Sequence, residues 1–402
     1  MKTQKFKVLV IGAGAAGLDV AARMTKHVLA AEIAIIEPAE YHYYQPLWTL
    51  VGGGDATKEQ SHRSMSSLMP AGVKWIKERA SELMPDENAV MTESGSRLEY
   101  DYLVLVPGLK IDFEAIKGLK EALENDPRVS TNYDFNLCEK TFEGVKNIKK
   151  GVAIFTHPST PIKCGGAPQK IMYLAEHYWQ KNGSRNDIEV CGYFAPGTIF
   201  GVPAYADALD KIVEKRDIHM HYRMDLIEVR HETGEAIFQN LDNPDHQEIV
   251  KYDFMHVTPK MFPPDFVANS PLAHQEGPSK GWCNVDINTL QSVNYPNVFA
   301  LGDVAALPTS KTGAAIRKQA VVAEKNLVSQ MGGTKPSEQY DGYTSCPLVT
   351  GYGRLIMAEF GYDNKLMPSF PLDPTKERWS MYMIKKHGLP ILYWNFMLKG
   401  KA

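Results

Sequence analysis

Apolar residues along the chain fall into short blocks with two different periods. Positions 7–11 read KVLVI and 32–36 read EIAII, compact β-branched-rich runs of strand length. Between them, 18–28 carries apolar residues at helical spacing, so the opening predicts strand, helix, strand. The same patterning predicts strands at 102–106 (YLVLV), 151–156 (GVAIFT) and 295–301, and helices at 169–180 and from Thr312 onward. Strands alternating with helices predict an α/β chain built on parallel sheets. Near the end, 391–398 is apolar but too short to cross a bilayer, which takes about 20 residues.

The turn after the first strand carries chemistry. It reads Gly12-Ala13-Gly14-Ala15-Ala16-Gly17, and the second strand ends at Glu37. Gly12 permits a tight turn, Gly14 lets backbone approach a pyrophosphate, and Gly17 lets helix and strand pack closely. The helix start offers unpaired N–H groups to phosphate. Glu37 is placed to accept from ribose hydroxyls and would repel a 2′-phosphate. A strand, glycine turn, helix and acidic residue in this order predict a dinucleotide site.

The late strand ends in Gly302-Asp303, followed by a predicted helix start at Thr312-Gly313. This resembles the second flavin motif of the pyridine nucleotide-disulfide oxidoreductase superfamily. The segment closing on Gly108 resembles the strand that returns to the flavin there, with Val-Pro-Gly in place of the usual Ala-Thr-Gly. The resemblance selects FAD as cofactor. No second glycine fingerprint follows 151–156; three prolines, a lysine and Cys164 occupy that stretch. The expected fold is therefore two Rossmann-like domains, one binding FAD and one a degenerate nicotinamide-type unit.

Size and composition agree with this. Single cores stop growing at roughly 250–300 residues, and the chain has 402 residues, 44% of them hydrophobic, with a net charge of −3. A nucleic-acid protein would need a basic face. The five cysteines are Cys138, Cys164, Cys191, Cys283 and Cys346, with no zinc-type spacing, so neither a disulfide framework nor a metal is expected. Cys164 lies just before a predicted helix, with Lys163 and Lys170 beside it, a setting that favours thiolate. Cys346 sits in what reads as a glycine-bounded turn stiffened by Pro347.

Together, 44–52 (YQPLWTLVG), 161–170, 307–312, 343–352 and 392–395 resemble the sulfide:quinone oxidoreductase family, most closely its mitochondrial-like type. The resemblance implies that Cys164 and Cys346 are a redox-active pair, Cys164 next to the flavin and Cys346 taking sulfide sulfur as a persulfide. It implies FAD contacts at Gly12, Ala13, Gly14, Ala15, Gly17, Glu37, Gln45, Ala80, Gly108, Gly302, Asp303, Lys311, Thr312 and Gly313. It implies hydrogen sulfide as donor, ubiquinone or menaquinone as electron acceptor, and sulfide, sulfite, glutathione or cyanide as sulfur acceptor. Lys170, Lys311 or the Thr312 helix start would stabilise a reduced flavin, and Glu121 or His157 would handle protons. No cysteine precedes Cys138, which argues against a third catalytic cysteine and against covalent flavin. Other readings are the flavin subunit of a flavocytochrome c sulfide dehydrogenase, a type II NADH dehydrogenase, and a non-catalytic flavin-bound persulfide carrier or sensor.

Residues 376–402 hold six basic residues against Glu377 alone, interleaved with Trp, Tyr and Met. Two short helices broken at Gly388-Leu389-Pro390 would make a monotopic membrane seat, with Phe360, Tyr382 and Phe396 lining a quinone channel. The expected boundaries are 1–115 with 285–345 for the FAD domain, 116–284 for the second domain, and 346–402 for the quinone and membrane segment. The first strand starts near Met1, leaving no room for a leader. The expectation is a peripheral protein of the bacterial inner membrane, or of the mitochondrial inner membrane after presequence removal, and compatible with a homo-oligomer.

Overall fold

The computed structural model describes residues 3–402. Its larger sheet centres on the strand Thr3–Ile11, flanked by Ile33–Ile36 on one side and Arg97–Leu105 on the other, all parallel. The inner ends of these strands, Val8–Ile11, Ile33–Ile36 and Leu103–Leu105, are continuously apolar and buried, as the KVLVI and EIAII runs predict. Val298–Ala300 pairs parallel with Arg97–Leu105, so the late strand joins the first sheet. The other edge is antiparallel: Arg97–Leu105 pairs with Ala89–Thr92, which pairs with Ala80–Met84. The sheet is therefore mixed rather than purely parallel, because short hairpin connections return the chain where no crossover helix intervenes.

A second sheet, five-stranded and parallel, contains Gly151–His157, Ile188–Phe194 and Ile218–Tyr222 in adjacent positions. An antiparallel three-stranded sheet, Met224–Arg230 to Gln247–Lys251, packs against it. Helix Ala167–Asn182 buries Ile171, Met172, Tyr173 and Leu174 at full depth. It ends at Gly183 in the left-handed conformation that glycine adopts without a Cβ penalty.

Two further expectations fail. The segment around Cys346 is not a turn but a strand, Thr344–Gly351, paired antiparallel with Arg354–Phe360. Thr344, Val349 and Thr350 favour extended backbone, and the chain turns only beyond the strand's last residue, Gly351, at Tyr352 and Gly353. The tail is not broken at Gly388-Leu389-Pro390. Trp379–Met383 continues through a π-turn, Ile384–Gly388, into Leu389–Asn395. Pro390 falls in the first turn of that last stretch, where its missing N–H costs no hydrogen bond.

Candidate active site

The glycine turn behaves as its spacing requires. Gly12 has φ +101°, and a Cβ there would lie 2.5 Å from the Val106 carbonyl oxygen. A Cβ on Gly17 would lie 1.9 Å from the Gly12 carbonyl oxygen, so helix and strand touch through backbone. A Cβ on Gly14 would meet nothing within 4 Å, and the same holds at Gly108. The turn thus leaves an open approach between two closely packed elements, which fits a pyrophosphate. Glu37 Oε2 accepts from Ala13 N at 2.9 Å, fixing the carboxylate beside the turn where a ribose would need it. Ala15 opens the helix Ala15–Met24.

At the far end of the fingerprint sheet, Gly302, Ser310, Lys311, Thr312 and Gln319 line a small cleft. Thr312 caps the helix Gly313–Met331, its Oγ1 accepting from Ala315 N at 3.1 Å. Burial raises the Asp303 carboxyl, with Lys311 and Lys163 opposing. Lys311 Nζ donates to the carbonyls of Asp303 at 2.7 Å and Ala305 at 3.0 Å and lies over the Trp282 ring. Burial pushes the Lys311 ammonium down to about 8. Gln45 accepts from Lys163 Nζ, and Ala80 starts its edge strand opposite Thr92.

The two cysteines meet. Their sulfurs stand 3.8 Å apart although 182 positions separate them in the chain. Cys164 has φ +56°, a left-handed conformation unusual for a residue with a Cβ. Its backbone N donates to Lys311 O at 2.8 Å, and Lys163 and Lys311 form a parallel bridge. The cysteine loop is thereby stitched to the loop that carries the second flavin motif. Lys170, one turn into the helix Ala167–Asn182, donates from Nζ to Cys164 Sγ at 3.1 Å. Ser310 Oγ lies 3.6 Å from Cys346 Sγ. A hydrogen bond from the Cys346 thiol, with help from the Lys170 ammonium and Gly166 N–H, holds Cys164 well below the ordinary thiol range despite its burial. Cys346 is pushed the opposite way by Cys164 and by burial. Burial alone pushes Cys283 up to about 12, and burial with neighbouring carboxylates takes Cys138 and Cys191 to the same level.

The remaining expected residues scatter. Glu121 is exposed on the helix Leu119–Asn125. His157 is pushed down to about 4 by burial and bonds the Pro158 carbonyl through Nδ1 at 2.9 Å. Phe360 packs edge-on against Phe200, Tyr382 donates to Asp55, and Phe396 is exposed. One residue the sequence reading passed over enters the site. Lys385, in the π-turn, is 2% exposed, donates to Pro46 O at 2.7 Å and is near enough to Lys170 and Cys164 for their charges to act on it. Burial, with Lys170 acting in the same direction, pushes its ammonium down to about 7. In the sequence it is one more lysine of a basic tail.

Residues 6–147 match the family model described as pyridine nucleotide-disulphide oxidoreductase. A mitochondrial sulfide:quinone oxidoreductase of Mus musculus is 47% identical over 395 residues, covering 98% of this chain and 87% of that protein. The chain belongs to the sulfide:quinone oxidoreductase family. It is an FAD-dependent enzyme of sulfide oxidation with quinone as acceptor. The mitochondrial sulfide:quinone oxidoreductase of Dictyostelium discoideum is 43% identical, covering 98% of this oxidoreductase and 86% of that protein. The fold matches the solved sulfide:quinone oxidoreductase of the hyperthermophilic bacterium Aquifex aeolicus with a TM-score of 0.81 at 20% identity, over 100% of this chain and 92% of that one. Among the described residues no helix is long and apolar enough to cross a membrane.

Proposed function

We propose that Cys164 and Cys346 carry the sulfur chemistry of this oxidoreductase. The observation that carries the reading is their 3.8 Å separation with Lys170 on the Cys164 side. Covalent closure to about 2.05 Å asks each sulfur to move by roughly an ångström, within reach of side-chain rotation. Hydrosulfide then attacks the Cys346 sulfur of the disulfide. A bond forms between the incoming sulfur and Cys346, the Cys164–Cys346 bond breaks, and its electron pair leaves on Cys164 as thiolate. Attack in this direction follows from the charge distribution, since Lys170 bonds Cys164 directly at 3.1 Å and Gly166 N–H adds to it, whereas Cys346 has the Ser310 hydroxyl at 3.6 Å and feels Lys170 only through space. The persulfide on Cys346 gives its outer sulfur to a nucleophile (sulfide, sulfite, glutathione or cyanide), leaving two thiols. Their return to a disulfide releases two electrons and two protons.

The glycine turn, Glu37, Asp303 and the Thr312 helix start would hold the flavin, which when bound would supply a two-electron relay to ubiquinone or menaquinone. Lys170 and Lys385 provide positive charge at the thiolate. The exposed Trp379, Ile391 and Phe396 of the tail, 66%, 56% and 45% accessible, suit a seat in a membrane interface from which quinone enters past Tyr382 and Phe360. In a cell with mitochondria that membrane is the mitochondrial inner membrane.

Stopped-flow mixing tests the scheme. Sulfide should bleach the flavin, and a quinone analogue should then restore its absorbance. In Cys164→Ser and Cys346→Ser the flavin should stay bound while sulfide-dependent bleaching is lost. Retained turnover in either variant ends the proposal.

A further inference from the structure

Apart from the redox pair, one cysteine stands among metal-binding side chains. Cys191 lies on the strand Ile188–Phe194 and His219 on Ile218–Tyr222, directly opposite each other in the parallel register. Glu189 precedes Cys191 by two positions and so points to the same face of the strand. One donor atom from each of the three lies within 4.8 Å of the other two. His219 Nδ1 is 3.1 Å from Glu189 Oε1, and its other ring nitrogen, Nε2, is 3.4 Å from Asp217 Oδ1. That is the arrangement in which a carboxylate fixes a metal-ligating imidazole from behind. Arg185 holds the approach to both strands, donating to Ile188 O at 2.7 Å, Arg216 O at 2.7 Å and Asp217 O at 2.6 Å.

We propose that Glu189, Cys191 and His219 form a zinc(II) site with Asp217 as the outer support of His219. Sulfur, nitrogen and oxygen donors together select a borderline transition ion over magnesium or calcium, which take oxygen ligands. The thiol sits at the base, 3% exposed, while Glu189 and His219 are half-exposed at the rim. Three protein ligands then leave the fourth tetrahedral position to water. Drawing the donors in to bonding distance, about 2.3 Å for sulfur and about 2.0 Å for nitrogen and oxygen, takes small side-chain rotations. The ion ties the outermost strand of the parallel sheet, Ile218–Tyr222, to its neighbour. It therefore braces the unit that presents Cys164, and takes no part in sulfide oxidation.

The test is a zinc(II) titration of chelator-stripped, FAD-loaded enzyme against a chromophoric competitor. The same titration is run on the Cys164→Ser/Cys346→Ser double variant to remove the redox thiols. One equivalent should bind in both, with X-ray absorption showing a single sulfur at about 2.3 Å. Cys191→Ser should lose that equivalent. Glu189→Gln/His219→Asn, altered only at exposed positions and keeping flavin spectrum and turnover, should bind at least 100-fold more weakly. Asp217→Asn should weaken binding about 10-fold. Zinc held undiminished by Glu189→Gln/His219→Asn, or lost in Cys164→Ser/Cys346→Ser alone, overturns the site.

Discussion

Cys164 combines a left-handed backbone, a lysine at hydrogen-bond distance and a partner thiol 3.8 Å away. Each feature constrains the sulfur differently. The positive φ turns the side chain out of the loop toward Cys346, and Lys170 sets its charge. Lys170→Met should therefore raise the Cys164 pKa, slow iodoacetamide alkylation of the reduced enzyme at neutral pH by about 10-fold, and leave flavin binding intact. An alkylation rate unchanged in that variant would remove Lys170 from the thiolate's support. Lys385 is tested by the same readout. Lys385→Met should lower Cys164 reactivity, by less than the Lys170 change because its ammonium bonds Pro46 O rather than the sulfur.

At the scale of elements, the glycine turn separates folding from ligand binding. Gly17→Ala drives a Cβ into the Gly12 carbonyl and should destabilise the unit itself. Gly14→Ala meets open space, so the apoprotein should melt as wild type while FAD affinity falls at least 10-fold. Equal thermal shifts in the two apoproteins would contradict this. Replacing the exposed Trp379, Ile391 and Phe396 by Glu should abolish co-sedimentation with lipid vesicles and leave activity toward a soluble quinone analogue.

Local devices were legible in the sequence for a physical reason. The fingerprint, its strand and Glu37 lie within one short stretch and obey a single geometry. The Cys346 strand was obscured because glycines and aromatics imitate a turn, and its pairing with Arg354–Phe360 depends on packing. Lys385 left no trace because the π-turn shifts the side-chain phase of the tail by one residue per turn, and only the fold reveals which lysine then points inward. The Cys191–His219 pairing was likewise invisible, since register between parallel strands places together residues with no sequence spacing to read.

Across the whole molecule, desolvation works against charge on several histidines. Burial pushes His42 and His157 down to about 4 and His256 to about 3, below the usual 6.5. Their stabilising contribution is complete above about pH 6.5 and is lost as pH falls toward those values, because the unfolded chain then binds more protons. Each group costs up to about 1.4 kcal/mol per pH unit in that window. The urea midpoint of the FAD-loaded enzyme should drop steeply from about pH 6.5 to about pH 5.5, and a flat midpoint there would show that these rings are hydrated. His42 also joins distant parts of the chain, bonding Ala13 O at 3.0 Å and Tyr393 Oη at 2.5 Å. Through it the glycine turn leans on the C-terminal helix.

The backbone bond from Cys164 to Lys311 gives the cysteine loop little freedom to travel by itself. Any displacement that accompanies opening or closing of the sulfur–sulfur bond must be passed to residues 307–312. Hydrogen–deuterium exchange should then show the amides of 160–166 and 307–312 changing protection in concert when the enzyme is reduced, as two hems on one seam.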